Sequence, residues 1–174
     1  MPSILFICTA NRYRSPIAEA CFKNELITRN IQEIWDIQSA GTWTKNGMAP
    51  LPEAVISAQQ LGLDIQKHRS REVTASMMAS ADLIVVMERD QQEALQIEFK
   101  SCQHKVTLLT KVTEGFSIDI ADPIRFHHHD QTTTAEICRL IKVGFDQLCS
   151  AANQIPTPLP ENTTRTTPWQ YGAG

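Results

Sequence analysis

No stretch of this 174-residue chain is long and apolar enough to cross a bilayer. Residues 1–8 hold a short apolar run without a basic leader, which speaks against a secretory signal. There is no basic run or stripe and the net charge is a mild −3, so nothing marks a nucleic-acid surface. Cysteine is sparse and unpatterned: Cys8, Cys21, Cys102, Cys138 and Cys149 are odd in number and form no CxxC. That argues against a disulfide framework and against a structural zinc site, and Cys138 and Cys149 read as filler on a helix. A reduced, cytoplasmic protein is the expectation. No internal repeat is visible.

What is present suits one folded domain. Four short apolar runs, Ile4–Cys8, Ile34–Ser39, Asp82–Val86 and Val106–Leu109, read as strands buried on both faces. Helical patterns alternate with them. Pro16–Thr28 opens on a proline placed as a first helical residue, and Pro52–Leu61 ends at Gly62. Glu88–Ile97 and Thr132–Cys149 complete the set, the last with Ile137, Leu140, Ile141, Phe145 and Leu148 on one face. Alternation of this kind implies right-handed crossovers. The predicted fold is α/β, a doubly wound four-stranded parallel sheet with helices on both faces, flavodoxin-like or Rossmann-like. Residues 1–152 read as the folded domain. From 153 to 174 the texture turns to Pro and Thr, with Pro156, Pro158, Pro160 and Pro168, and reads as a flexible tail.

Ligands of such sheets bind beyond the carboxyl ends of the strands, and Cys8 falls there. It opens the run Cys8-Thr9-Ala10-Asn11-Arg12-Tyr13-Arg14-Ser15-Pro16. Five cysteines and nine arginines in 174 residues would produce about 0.3 Cys-x5-Arg spacings by chance, so the spacing alone is weak. Its position between a buried strand and a helix start strengthens it. Amides of a tight loop, aided by a helix N-terminus, can surround phosphate oxygens. Arg14 adds a planar fork that grips two of them. The same positive field stabilises a thiolate at Cys8, to which the Ser15 hydroxyl can donate. The alternative, a core thiol at a strand end, leaves Arg14, Ser15 and Pro16 unexplained.

Residues 4–20 resemble the signature of the low-molecular-weight protein tyrosine phosphatases, with Ile17-Ala18-Glu19 after the loop. Further stretches fit in order: Ser39-Ala40-Gly41-Thr42, His68-Arg69-Ser70-Arg71, the run from Asp82 to Asp90, and Asp122-Pro123. The resemblance covers roughly residues 3–150. It implies a phosphomonoesterase that works through a phosphocysteine at Cys8, without cofactor or metal, on a phosphorylated protein or a small phosphoester. It implies Arg14 as the anion grip, Thr9 to Ser15 as the phosphate-binding loop, and Asp122 as the acid for the leaving group. Asn11, with a residue type suited to positive φ, Ser39 and His68 would support the loop. Asp119 competes with Asp122, but no proline follows it. His127, His128 and His129 are adjacent and cannot easily converge on one ion.

The chain also departs from the family pattern. Ala10 stands where glycine is usual, and fits if its φ is negative. Tyr13 replaces a second cysteine that could protect Cys8. The expected substrate rim is Arg12, Trp43, Ile124 and Arg125, with cations where the tyrosine-directed members carry aromatics; this weakens ring stacking and favours a further negative group on the substrate. Trp43 could equally serve packing, and Arg69 and Arg71 read as solvent-facing. Two other chemistries compete: arsenate reduction, which needs two close cysteines downstream where Cys102 stands alone, and phosphate binding without turnover.

Overall fold

The computed structural model describes residues 1–124 and 130–154. Four parallel strands form one sheet: β1 (Ser3–Cys8), β2 (Asp36–Gly41), β3 (Leu83–Val86) and β4 (Val106–Leu108), in the order β2-β1-β3-β4. Chain direction reverses its lateral progress between β1 and β3, which is where a doubly wound sheet opens a crevice. Side chains alternate across β1. Ile4, Phe6 and Cys8 join the apolar core under helix α1 (Arg14–Thr28), α2 (Pro52–Gln60), α6 (Asp130–Val143) and α7 (Phe145–Gln154). Leu5 and Ile7 face the opposite core with α3 (Ala75–Ser80) and α4 (Arg89–Glu98). The period-two strand geometry thus puts Cys8 on the α1 side. Among the described residues no helix is long and apolar enough to cross a membrane.

Several boundaries differ from the sequence expectation. β2 begins at Asp36 rather than Ile34, because β1 starts at Ser3, opposite Asp36, and leaves Ile34 and Trp35 no strand to pair with. Those two residues lie at the end of a 3-10 turn, and Ser39 becomes a mid-strand residue. α1 begins at Arg14, so Arg14 and Ser15 belong to its first turn and Pro16 is its third residue, still upstream of the first position where an N–H is needed. The expected helix Thr132–Cys149 is two helices, α6 and α7, divided at Gly144. A β-carbon there would stand 2.3 Å from Thr113 Cγ2 of α5 (Leu109–Glu114), so glycine admits a close helix approach at the break. The short α3 and α5 carry too few turns for a periodic signal.

One cysteine expectation is corrected. Cys21 of α1 and Cys138 of α6 are disulfide-bonded, with Cα atoms 5.6 Å apart. They are 117 residues apart in sequence, and only the packing of α6 on α1 brings them together. Cys8, Cys102 and Cys149 are free, and burial pushes the Cys149 thiol up to about 11.

Candidate active site

The carboxyl ends of β1, β2 and β3 set the site. Gly41 of β2 pairs with Cys8, and a β-carbon on Gly41 would stand 2.7 Å from the Thr9 carbonyl oxygen. Glycine therefore lets the segment after β2 close on the loop after β1. Thr42 and Trp43 donate their N–H groups to the Cys8 and Thr9 carbonyls, both at 3.0 Å. Among the described residues, the N–H groups of Thr9, Ala10, Asn11, Arg12, Arg14 and Ser15 donate to no protein acceptor. Unspent amides on a half-buried loop are costly unless a ligand or water takes them, and here six of them come from one turn leading into a helix N-terminus.

A buried polar chain holds this loop open. Asn11 is wholly buried with φ 52°, a conformation that Asn tolerates better than most residues. Its Nδ2 donates to Ser15 Oγ at 2.9 Å and to Ser39 Oγ at 3.0 Å. Its Oδ1 accepts the Arg71 N–H at 3.0 Å. Ser39 Oγ donates to Glu19 Oε2 at 2.6 Å. Ser15 Oγ lies 3.1 Å from Cys8 Sγ and 3.3 Å from the Ala40 carbonyl. That hydroxyl accepts from Asn11 and has one proton to give, for which the Ala40 carbonyl and the sulfur compete. Ala10 is not among the described non-glycine residues with positive φ, which are Asn11 and Asn30. The alanine for glycine exchange therefore carries no backbone strain.

His68 is half-buried, and its Nε2–H donates to the Asn11 carbonyl at 2.8 Å; a carbonyl only accepts, so the proton sits on Nε2. Burial lowers its pKa below 6.5, outweighing the opposing pull of the Asn11 carbonyl and of Glu19. Arg71 is exposed overall, yet its Nε donates to the Ser39 carbonyl at 2.9 Å, so it braces the shell as well as meeting solvent. Arg69 is exposed as expected.

Arg14 is 2 % exposed and faces three oxygens. Its NH1 lies 2.9 Å from Glu88 Oε1 and 2.8 Å from the Ile120 carbonyl, and its NH2 lies 3.2 Å from Asp122 Oδ2. Asp122 Oδ1 also accepts the Ile124 N–H at 3.0 Å, so the Asp-Pro turn fixes the rotamer of its carboxylate. Asp119 points elsewhere, toward the backbone N–H and Nε of Arg89. Sequence reasoning brought together Cys8, Arg14, Ser15, Asn11, Ser39, His68 and Asp122, and these do converge. It missed Glu88 and Gln91. Gln91 is buried; it accepts the Met87 and Glu88 N–H groups and donates to Glu88 and, at 3.1 Å, to Thr9 Oγ1. The available signal was an acid directly after β3, at the crevice end, with a helix start and a Gln three residues on.

The rim is looser. Arg12 Nε donates to the Ala49 carbonyl at 2.7 Å, and no carboxylate of the described residues pairs with it. Trp43 is 80 % exposed, so it does not pack. Ile124 is exposed. Arg125 and His127 to His129 lie outside the described residues, as do residues 155–174; Asn153 belongs to α7.

An inner-strand cysteine, an arginine six residues on and a run of unspent amides define a cysteine-based phosphoryl-transfer site. The family profile described as low molecular weight phosphotyrosine protein phosphatase matches residues 3–156. The chain is 30 % identical over 140 residues to the low molecular weight phosphotyrosine protein phosphatase of Sus scrofa, covering 78 % of this chain and 88 % of that protein. It is 30 % identical over 120 residues to the protein-arginine-phosphatase of Bacillus subtilis, covering 69 % and 78 %. A solved structure of the YwlE arginine phosphatase, a mutant with a phosphorylated active-site serine, superposes with a TM-score of 0.76 at 26 % identity over 87 % of this chain and 96 % of that one. This chain belongs to the low-molecular-weight phosphotyrosine protein phosphatase family, and is a phosphoric monoester hydrolase.

Proposed function

We propose that Cys8 is the nucleophile of a phosphatase acting on phosphorylated protein, with Arg14 and the loop from Thr9 to Ser15 as its phosphate cradle and Asp122 as its proton donor. The observation that carries the reading is the set of unspent loop amides beside a thiol already addressed by Ser15. The Cys8 thiolate attacks phosphorus, an S–P bond forms and the ester P–O bond breaks. Asp122 gives its proton to the departing oxygen. Water then attacks the phosphocysteine, Asp122 takes its proton, and the thiolate leaves with phosphate released. Arg14 and the amides hold the equatorial oxygens as charge spreads over them. Glu88 shares Arg14 with Asp122, which keeps the guanidinium oriented between substrate turnovers.

Arg12 bears on the substrate class. A phosphoarginine brings its own guanidinium beside the phosphorus and would meet a cation at the rim. A phosphotyrosine in an acidic sequence, or a small phosphoester with a second anionic group, gains from it. Trp43 offers an exposed aromatic face for the leaving group. We take the catalytic domain to run through α7 to Gln154, two residues beyond the boundary expected from the sequence. A catalytic thiolate suits a reducing compartment such as the cytoplasm, whereas a bond such as Cys21–Cys138 is of the kind that persists in oxidising ones.

Turnover of p-nitrophenyl phosphate and phenyl phosphate tests this. Cys8→Ser is expected to abolish turnover of both. Asp122→Ala is expected to cost ~10²–10⁴ on phenyl phosphate, the poorer leaving group, and much less on the nitrophenyl ester. Phosphate binding without any turnover by the intact protein, or thiol-dependent arsenate reduction in its place, would overturn the proposal.

A further inference from the structure

Asp119 lies three residues before the acid and takes no part in the chemistry proposed above, yet it is tied to the site. Its Oδ1 accepts the Arg89 N–H at 2.8 Å, and Arg89 Nε lies 3.3 Å from the same oxygen. Arg89 is the first residue of α4, behind Glu88 as its N-cap. Its N–H is one of the donors that a helix start leaves without an intrahelical partner, and the helix dipole favours a carboxylate there. One residue on, the Ile120 N–H donates to the Met87 carbonyl at 2.9 Å. Residues 87–89 and 119–120 therefore lie side by side, joined by bonds in both directions.

Arg14 meets both segments. Glu88 reaches it from one, at 2.9 Å, and the Ile120 carbonyl and Asp122 reach it from the other, at 2.8 and 3.2 Å. Arg14 is also the phosphate grip, so a bound phosphate competes with Asp122 for the guanidinium. The place of the acid then rests on its own chain. One anchored residue is a pivot; a second fixes the direction in which the chain leaves it. We infer that Asp119 is a positioning residue for Asp122: by taking the Arg89 N–H it fixes on α4 the short segment that aims the acid. Only Ile120 and Ala121 stand between the two carboxylates. This rests on the phosphatase reading and deepens it. Proton transfer needs Asp122 within hydrogen-bond reach of the leaving oxygen, whereas attack needs the Cys8 loop, so a loosened segment harms the first step more than the second.

The bond can be cut from either end. Proline suits a first helical position, and Glu88, with φ −134° and ψ 150°, already has the extended backbone that a residue before proline takes. Arg89→Pro therefore removes the N–H without opposing the helix, while Arg89→Ala removes the guanidinium and keeps the N–H. On phenyl phosphate, Asp119→Ala and Arg89→Pro are each expected to lose about fivefold in kcat, with a change under about twofold on p-nitrophenyl phosphate and no further loss in an Asp122→Ala background. Arg89→Ala is expected to stay within about twofold on both esters, since the exposed ion pair itself is worth little. Asp119→Asn keeps an acceptor for the N–H and is expected to stay within about twofold as well. Equal losses from Arg89→Ala and Arg89→Pro, Asp119→Asn as poor as Asp119→Ala, equal losses on both esters, an undiminished loss in the Asp122→Ala background, or no loss from Asp119→Ala would overturn the inference. Turnover that survives Cys8→Ser would instead sink the phosphatase reading, and the two failures are distinct.

Discussion

Asn11 and Trp43 both touch the phosphate loop, and they are held in opposite ways. Asn11 is wholly buried, and its amide group alone makes three hydrogen bonds, to Ser15, Ser39 and Arg71. Trp43 commits only its backbone N–H, to the Thr9 carbonyl, and leaves its ring 80 % exposed. The inner wall is over-determined, so each residue type there follows from the hydrogen bonds that it must satisfy. The rim is under-determined, so residue type there is not set by the fold.

The contrast breaks first at Asn11. Replacing it with Ala strips a partner from two buried hydroxyls and places a β-carbon residue without a polar side chain at φ 52°. A stability loss of about 3 kcal/mol is expected, read as a fall in Tm of roughly 6–12 °C by calorimetry, together with a large loss of turnover. Trp43→Ala is the control: its stability should change by no more than about 0.5 kcal/mol. Equal destabilisation by the two substitutions would erase the distinction between wall and rim.

The wall is also the part that could be read without coordinates. Cys8, Arg14 and Ser15 follow from the chemistry that a phosphate cradle demands of one loop, whereas Asn11, Ser39, His68 and Asp122 were reached through the resemblance of their stretches to the family. The four-strand alternation was legible for a similar reason: strands buried on both faces must be continuously apolar. What stayed hidden was set by long-range packing. The Cys21–Cys138 bond depends on how α6 lies on α1, the division at Gly144 depends on Thr113, and the start of β2 depends on where β1 begins. Glu88 and Gln91 were missed because their role rests on contacts with Arg14 and Thr9 that no local spacing records. Tyr13 is a related case: its absence of sulfur was plain, but not its meeting with Ser57 and Thr134.

A smaller effect sharpens the rim. Arg12→Ile removes a partly exposed guanidinium that no described carboxylate neutralises. An exposed charge contact is worth up to about 1 kcal/mol, so kcat/KM on a phosphotyrosine peptide with acidic neighbours should fall by about fivefold, with little change on p-nitrophenyl phosphate. Adding salt to the intact protein should mimic the substitution, since the contact is exposed and screened. Equal losses on the acidic peptide and the neutral aryl ester would show that Arg12 serves the loop through Ala49 and not the substrate.

The smallest effect returns to the wall through protons. His68 has its pKa lowered below 6.5, chiefly by burial. In the unfolded chain the imidazole binds its proton near the ordinary value, while in the fold it stays neutral to lower pH. Across that window the unfolded state holds more protons, so stability rises with pH and falls as acid is added. His68→Gln keeps an N–H donor for the Asn11 carbonyl but cannot titrate. Urea unfolding at a series of pH values should therefore show the intact protein losing stability relative to His68→Gln as pH drops below 6.5, with the gap closing above it. A gap that widened toward neutral pH would mean that the folded protein favours the charged imidazole, and that the attraction of Glu19 and the Asn11 carbonyl outweighs burial at this site.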